Sequence, residues 1–438
     1  MNFLNLFRKK PRSHFPPLHF HNTLSGAIEP FIPLSAREVK LYNCGPTVYD
    51  RQHIGNLRGQ ILADTLRRTL ETWGYTVQHV SNITDVGHLT GDNSGDADIG
   101  EDRMEASAKK RGTSAQAIAD EITHYFFEDL DTVGVVRKKM KFPKATAYIQ
   151  EQIALVKALK EKGYAYHTSD GVYFDTAKYP SYGKLGNIDL TGLEAGARIE
   201  HNPEKKNPYD FALWKLSKPK GVREQEWESP WGVGFPGWHI ECTAMIFKLL
   251  GKQIDIHIGG IDLAPIHHNN EIAQAESITG KPFVRHWIHN AFITIENKKI
   301  SKSLGNTIYL HNILDRGYQG RALRYWYLTG HYRSPMNFTW EALEGANTAL
   351  TRLTRFFFEE LQGAGQGKPD ETFSTDFRAA IADDLDTPKA IARMWELVKD
   401  ESVSKADKRA SLLLADEDAV VGVDERPGRE RGRGAGPA

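Results

Sequence analysis

A strand that runs straight into a glycine-containing turn and then a long amphipathic helix leaves few folds open, and residues 39–80 read that way. Val-Lys-Leu-Tyr-Asn-Cys over 39–44 has strand character and stops at Gly45-Pro46. From 56 to 73 the apolar residues Leu57, Ile61, Leu62, Leu66 and Leu70 recur at helical spacing. Gly74 ends that helix and 76–80 return as a strand. Strand, turn, helix, strand is the unit of a parallel sheet, whose ligands bind at the carboxyl ends of the strands. His53 and Asn56 stand at the helix start, where backbone N–H groups and the helix dipole favour an anion.

A second phosphate-type signature lies far downstream: Lys-Ile-Ser-Lys-Ser over 299–303, two lysines and two hydroxyls on one loop. Lys299 and Lys302 are suited to neutralise phosphates as mobile point charges. His53, Gly55 and Asn56 supply donors and a close backbone approach. Taken singly, Asn56 reads as a turn cap and 298–302 as surface charge. In this order they read as two halves of one nucleotide-activating site.

The 438 residues are too many for one compact core, so several domains are expected. Lys+Arg and Asp+Glu both total 56, which excludes a global positive field and leaves any polyanion to local patches. No apolar run is long enough to span a bilayer, and 1–13 lacks the apolar segment and cleavage site of a secretory leader. A cytoplasmic protein is expected.

Along the chain, 91–112 reads as an exposed loop leading into a helix, with helices at 114–130 and 144–162. A hairpin follows at 164–174, then an irregular polar stretch over 179–221. The sheet resumes with a helix at 239–250, a strand at 254–258, a helix from about 265 to 279 and a strand at 292–295. Beyond 321 the pattern is helical, at 321–328, 340–362 and 378–399. The last residues, 424–438, are Arg/Gly/Pro-rich and are expected to be disordered.

The two cysteines, Cys44 and Cys242, gain meaning from their surroundings. His267 and Glu271 are four apart on an expected helix and share a face. Two thiolates, an imidazole and a carboxylate suit zinc. Their spacing is not that of a local zinc finger, so buried free cysteines and a capping histidine are the competing reading.

The paired motifs resemble the HIGH and KMSKS signatures of class I aminoacyl-tRNA synthetases. Within that class, residues 20–420 resemble the cysteinyl-tRNA synthetases. The matching stretches are Leu-Tyr-Asn-Cys-Gly-Pro-Thr-Val-Tyr-Asp (41–50), Asn-Ile-Thr-Asp (82–85), Asp-Phe-Ala-Leu-Trp-Lys (210–215), Gly-Trp-His-Ile-Glu-Cys-Thr (237–243), Asp-Ile-His (255–257), Gly-Ile-Asp (260–262), His267-His268 with Glu271, and 299–306. The resemblance implies an α/β fold: a Rossmann-like parallel-sheet catalytic domain with an insertion, followed by a C-terminal helical bundle. Its implied divisions are an extension (1–20), the first catalytic half (21–111), a connective insertion (112–230), the second half (231–320), a helical tRNA-binding bundle (321–420) and a tail with a shortened anticodon region (421–438).

The resemblance further implies one zinc ion held by Cys44, Cys242, His267 and Glu271, which reads the substrate thiol. It implies Mg2+ accompanying ATP, and L-cysteine and tRNA(Cys) as partners of a monomer. Gly45, Thr47, Thr84 and Trp238 are implied at the cysteine, and His257 and Asp262 near the adenosine. The chain departs from the family pattern at Asn56, where a second histidine is usual, at Ile258 for glycine and at Asn269 for glutamate. Two alternatives remain at this point. One is a related cysteine ligase that acts on an amino-sugar thiol precursor. The other is a non-catalytic RNA-binding paralogue.

Overall fold

The computed structural model describes residues 15–87, 89–91, 100–186, 202–217, 221, 223–302 and 304–419, and all structural statements concern these. The expected N-terminal extension up to residue 14 and the Arg/Gly/Pro tail lie outside the described residues. No described helix is long and apolar enough to cross a membrane.

An N-terminal hairpin, β1 (His19–Asn22) and β2 (Ala27–Pro30), precedes β3 (Glu38–Asn43), α1 (Ile54–Thr72) and β4 (Thr76–Ser81). Helices α2 (Arg103–Arg111) and α3 (Ala115–Thr132) lead to the short β5 (Met140–Lys141) and to α4 (Ile149–Glu161). Four strands follow: β6 (Ala165–Thr168), β7 (Gly171–Phe174), β8 (Phe211–Leu216) and β9 (Gly234–Pro236). Then come α5 (Trp238–Leu249), β10 (Ile254–Gly260), α6 (Asn269–Thr279) and β11 (Val284–Asn290). The chain continues through β12 (Ile293–Ile295), β13 (Lys298–Lys299), α7 (Leu310–Asp315), α8 (Gly320–Leu328) and β14 (Met336–Phe338). It closes with α9 (Trp340–Arg355), α10 (Glu371–Ala382), α11 (Thr387–Lys399) and α12 (Lys405–Ala419).

The central sheet has the order β11-β10-β3-β4-β5 and is parallel throughout. The chain leaves β3 for β4 on one side and reaches β10 on the other, so the β3/β10 boundary is the topological switch point of the sheet. β6 to β9 form a separate antiparallel sheet. One continuous apolar core joins Val39 and Leu41 of β3, Leu66 and Leu70 of α1, and Leu323, Leu353, Phe377 and Leu412 of the C-terminal helices.

Three expectations are corrected. The stretch 179–221 is not wholly irregular, since β8 is a strand whose Phe-Ala-Leu-Trp run is buried on both faces and lacks alternation. Strand β11 escaped notice because His286 and His289 are buried among its apolar residues. The single helix at 378–399 is two helices, α10 and α11, broken where Asp384 and Leu385 both adopt φ of 54°.

That break is anchored. Asp384 accepts from the His21 backbone N–H at 2.8 Å, from the Tyr332 hydroxyl at 2.5 Å and from Arg333 Nε at 2.6 Å. Arg58 of α1 donates to the carbonyls of Ala291, Phe292, His331 and Ser334 at 2.8 to 3.2 Å. The helical segment is thereby fixed to the sheet by buried polar contacts as well as by packing.

Candidate active site

The end of β3 is held by a polar lattice. Asn43 Nδ2 donates to Gln60 Oε1 at 3.0 Å and Ser81 Oγ at 3.1 Å, and Gln60 Nε2 donates to the Cys44 carbonyl at 3.1 Å. The Gly45 N–H donates to Asn82 Oδ1 at 2.8 Å. A Cβ on Gly45 would fall 1.6 Å from the Asn82 carbonyl oxygen, so only glycine lets these strand ends meet. Thr47 bridges Thr84 in parallel, and the buried Thr84 accepts at Oγ1 from Asn82 Nδ2 at 2.9 Å.

The structure brings the two phosphate motifs together. His53 bridges Tyr309, and the Ile54 N–H donates to the Ile308 carbonyl at 2.9 Å, so the chain beyond the lysine loop runs beside the start of α1. A Cβ on Gly55 would meet His53 Cε1 at 2.9 Å and Ile300 Cδ1 at 3.1 Å. Burial, and then the Lys302 ammonium, hold the His53 imidazole down to about 4, so at neutral pH it is uncharged. Asn56 is exposed and accepts from the His53 backbone N–H at 3.2 Å, acting as a helix-start cap. Its Nδ2 remains the only Asn56 side-chain group able to donate to an anion.

Asn306 clasps the lysine loop, donating to the Lys299 carbonyl at 2.9 Å and accepting from the Ser301 N–H at 2.8 Å. Lys302 Nζ lies 2.5 Å from Asp50 Oδ2 and 4.9 Å from the Tyr49 ring centre. Burial pulls the Lys302 ammonium down, but Asp50 and Tyr49 outweigh it and the net shift is upward. Asp262 sits exposed in the turn Ile261–Leu263.

Cys44, Cys242, His267 and Glu271 come from the residue just after β3, from α5, from the wide turn Ala264–His268 and from α6, yet one donor atom of each lies within 4.8 Å of the others. His267 Nε2 is 2.9 Å from Glu271 Oε1. The two cysteines are free thiols. The hydrogen bond from Cys242 lowers the Cys44 thiol, but burial and Glu271 outweigh it, and both thiols stand above their ordinary value. Burial opposes the His267 cation, yet Cys242 and Glu271 raise it to about 10. Burial likewise opposes the Glu271 anion, and His257 and His267 lower it to about 2.

A buried, crowded set of two sulfurs, one imidazole and one carboxylate fits zinc in both ligand type and number. Trp238 packs against His267, tilted, with ring centres 4.4 Å apart. His257 is fully buried inside this pocket, with Nε2 at 2.9 Å from Glu271 Oε2. Ile258 is a core residue of β10, and Asn269 donates to the carbonyls of Leu185 and Ala264 at 3.0 and 2.9 Å.

Sequence reasoning did not single out Asp50, Asn306, His268 or His289 as site residues. Asp50 lies within a quoted motif, but its partner is 252 positions away. His289 carries no local signal at all, because only the β10–β11 pairing places it beside Gly259.

The family described as tRNA synthetases class I (C) catalytic domain matches residues 30–348. The chain is 46% identical over 384 residues to "Cysteine--tRNA ligase 1" of Burkholderia lata, covering 87% of this chain and 80% of that protein. The chain belongs to the cysteinyl-tRNA synthetase family. Its enzyme class is therefore cysteine–tRNA ligase. A second member, from Treponema denticola, is 41% identical over 429 residues, covering 93% of this chain and 86% of its own. Among solved structures, the leucyl-tRNA synthetase ternary complex of Agrobacterium radiobacter K84 superposes with a TM-score of 0.64 at 11% identity, covering 89% of this chain and 85% of that one. A Mycobacterium tuberculosis methionyl-tRNA synthetase gives 0.57 at 13% identity, covering 88% and 90%. These two establish the class I fold.

Proposed function

We propose that this synthetase activates L-cysteine with ATP at the β3/β10 boundary and transfers it to tRNA(Cys), with the thiol read by zinc. Cys44, Cys242, His267 and Glu271 would hold the ion. When bound, it supplies a soft centre that prefers a thiolate to a hydroxyl, a contrast that an apolar pocket cannot make between cysteine and serine. Thr84 and Trp238 border the same pocket, with Gly45 and Thr47 at its strand-end wall. The proposed divisions are the two catalytic halves (21–111 and 231–320), the insertion (112–230) and the helical tRNA-binding bundle (321–420).

The triphosphate, with Mg2+, lies between the start of α1 and the lysine loop, with Asp262 on the sheet side of the adenosine and His257 behind it, buried against Glu271. The cysteine carboxylate oxygen attacks the α-phosphorus, the bond to the β-phosphate bridging oxygen breaks, and pyrophosphate leaves. Lys299 and Lys302 neutralise the charge on the leaving group, while His53 donates one N–H to a phosphate oxygen. Asn56 contributes only an amide donor. The 2′- or 3′-hydroxyl of the tRNA terminal ribose then displaces AMP from the adenylate.

The observation that carries this reading is that four zinc-type donors lie within 4.8 Å of one another, and that the segment following Cys44 carries Asp50, which pairs with Lys302. Cysteine-dependent ATP–pyrophosphate exchange, with serine as control and zinc content measured on the same sample, is the test. Zinc-loaded protein without cysteine-dependent exchange would overturn it.

A further inference from the structure

The four donors above are not the whole ligand field. Cys44 and Glu271 also belong to a second set of four, completed by His257 and His268, whose donor atoms likewise lie within 4.8 Å of one another. We propose that the centre offers two overlapping metal positions, the second formed by Cys44, His257, His268 and Glu271, which retains a divalent cation when the Cys242–His267 side is lost. This rests on the reading that Cys44 and Glu271 bind a metal.

Cys44 and Glu271 are pivots. Glu271 Oε1 lies 2.9 Å from His267 Nε2, while Oε2 lies 2.9 Å from His257 Nε2. Each carboxylate oxygen thus faces one set. Cys44 has the Cys242 thiol as a partner on one side and His268 Nε2 at 3.3 Å on the other. In a tetrahedral zinc site, bonds of about 2.0 to 2.3 Å put neighbouring donors roughly 3.3 to 3.8 Å apart. The second set needs shifts of only tenths of an ångström at these two pairs.

His268 is held for such a role. Its Nδ1 lies 2.8 Å from His289 Nε2, and His289 Nδ1 lies 2.8 Å from Thr23 Oγ1. This chain fixes the ring with Nε2 toward Cys44, and a partner on the far nitrogen is what orients a ligating imidazole. A Cβ at Gly259 would stand 2.5 Å from His268 Cε1, so the strand is stripped of side chain where the ring lies. His257 packs on Trp287 with ring centres 4.6 Å apart and His268 on Trp287 at 5.0 Å, which gives both imidazoles a common rigid wall.

The competing account makes His257 and His268 plain hydrogen-bond partners of Glu271 and Cys44. The two accounts differ once Cys242 is removed. The test loads the full chain with Co2+ and reads stoichiometry and the sulfur-to-cobalt charge-transfer band. Wild type is expected to bind one ion with two-thiolate intensity. Cys242→Ala is expected to keep one ion with about half that intensity, one thiolate remaining of two. Cys242→Ala/His268→Ala is expected to bind cobalt about 100-fold more weakly. His267→Asn removes the other ligand of that side, Cys242 remaining, without touching the apolar core and is expected to keep one ion.

A folded Cys242→Ala and a folded His267→Asn that both bind no cobalt overturn the proposal. So does a Cys242→Ala protein whose cobalt affinity is indifferent to His268. A wild type that binds no cobalt would instead overturn the metal reading on which this rests.

Discussion

The Lys302 ammonium lies 2.5 Å from the Asp50 carboxylate, joining the lysine loop to the segment just before α1. Arg111 of α2 stands 3.8 Å from the other Asp50 oxygen. Tyr49, next to Asp50, accepts at its hydroxyl from Arg103 at 3.0 Å, and its carbonyl accepts from Ser107 at 3.0 Å. Helix α2 therefore supports the carboxylate that holds Lys302. On the proposed reading the same ammonium faces a triphosphate in turnover, so Asp50 and ATP would compete for it.

Removing that competition has a defined sign. A partly exposed ion pair contributes about 0 to 1 kcal/mol, so Asp50→Asn is expected to lower the KM for ATP by about two- to five-fold. Lys302→Ala is expected to slow adenylate formation by roughly 100-fold while zinc content stays unchanged. Single-turnover adenylation over a range of ATP concentrations checks both. A higher KM in Asp50→Asn would show that the carboxylate assists rather than competes.

Cys44 belongs to both candidate donor sets. Cys44→Ala is accordingly expected to abolish stable zinc binding and cysteine activation together. Zinc content after gel filtration and cysteine-dependent exchange are the two readouts. Cysteine activation that survives without metal would remove zinc from thiol recognition.

Metal binding at this centre must expel protons. His267 stands at about 10 because Cys242 and Glu271 overcome its burial, and both thiols are raised above their ordinary value. Zinc requires the neutral imidazole and the thiolates. At neutral pH binding should release about three protons, and affinity should therefore rise with pH. Calorimetric titration of metal-free protein in buffers of different ionisation enthalpy gives the proton number directly. Enthalpies independent of buffer would contradict it.

The β3–α1–β4 unit was legible because its apolar residues keep a clean period, and the lysine loop because its residue types are unusual together. The ligand quartet was legible only through family resemblance, since its members come from separate elements and share no local spacing beyond His267 and Glu271. Strand β11 was not legible, because His286 and His289 break its apolar pattern while being buried. The split between α10 and α11 was missed for a related reason. Its cause is Asp384, whose partners His21, Tyr332 and Arg333 lie far away in sequence. Asn56 carried both of its readings from the start, and its bond to the His53 N–H makes the cap one of them.

Asp64 offers a stability test independent of the metal. It is fully buried in α1 and pairs with Arg67 at 2.5 Å, Arg68 at 2.9 Å and Arg324 of α8 at 2.8 Å. Burial alone would raise its carboxyl, but Arg324, Arg68 and Arg67 together hold it well below the usual carboxylate range. A carboxylate depressed on folding stabilises fully above its unfolded value of about 3.9 and loses that contribution as pH falls toward the folded value. Asp64→Asn removes the carboxylate shared by Arg67, Arg68 and Arg324 and is expected to cost about 3 to 5 kcal/mol at pH 7. The gap between wild type and variant should narrow as pH falls from about 5 to 2, while zinc content at pH 7 stays unchanged. Denaturant midpoints measured across that range decide it, and a gap that is constant with pH would show that the Asp64 charge does not hold α8 to α1.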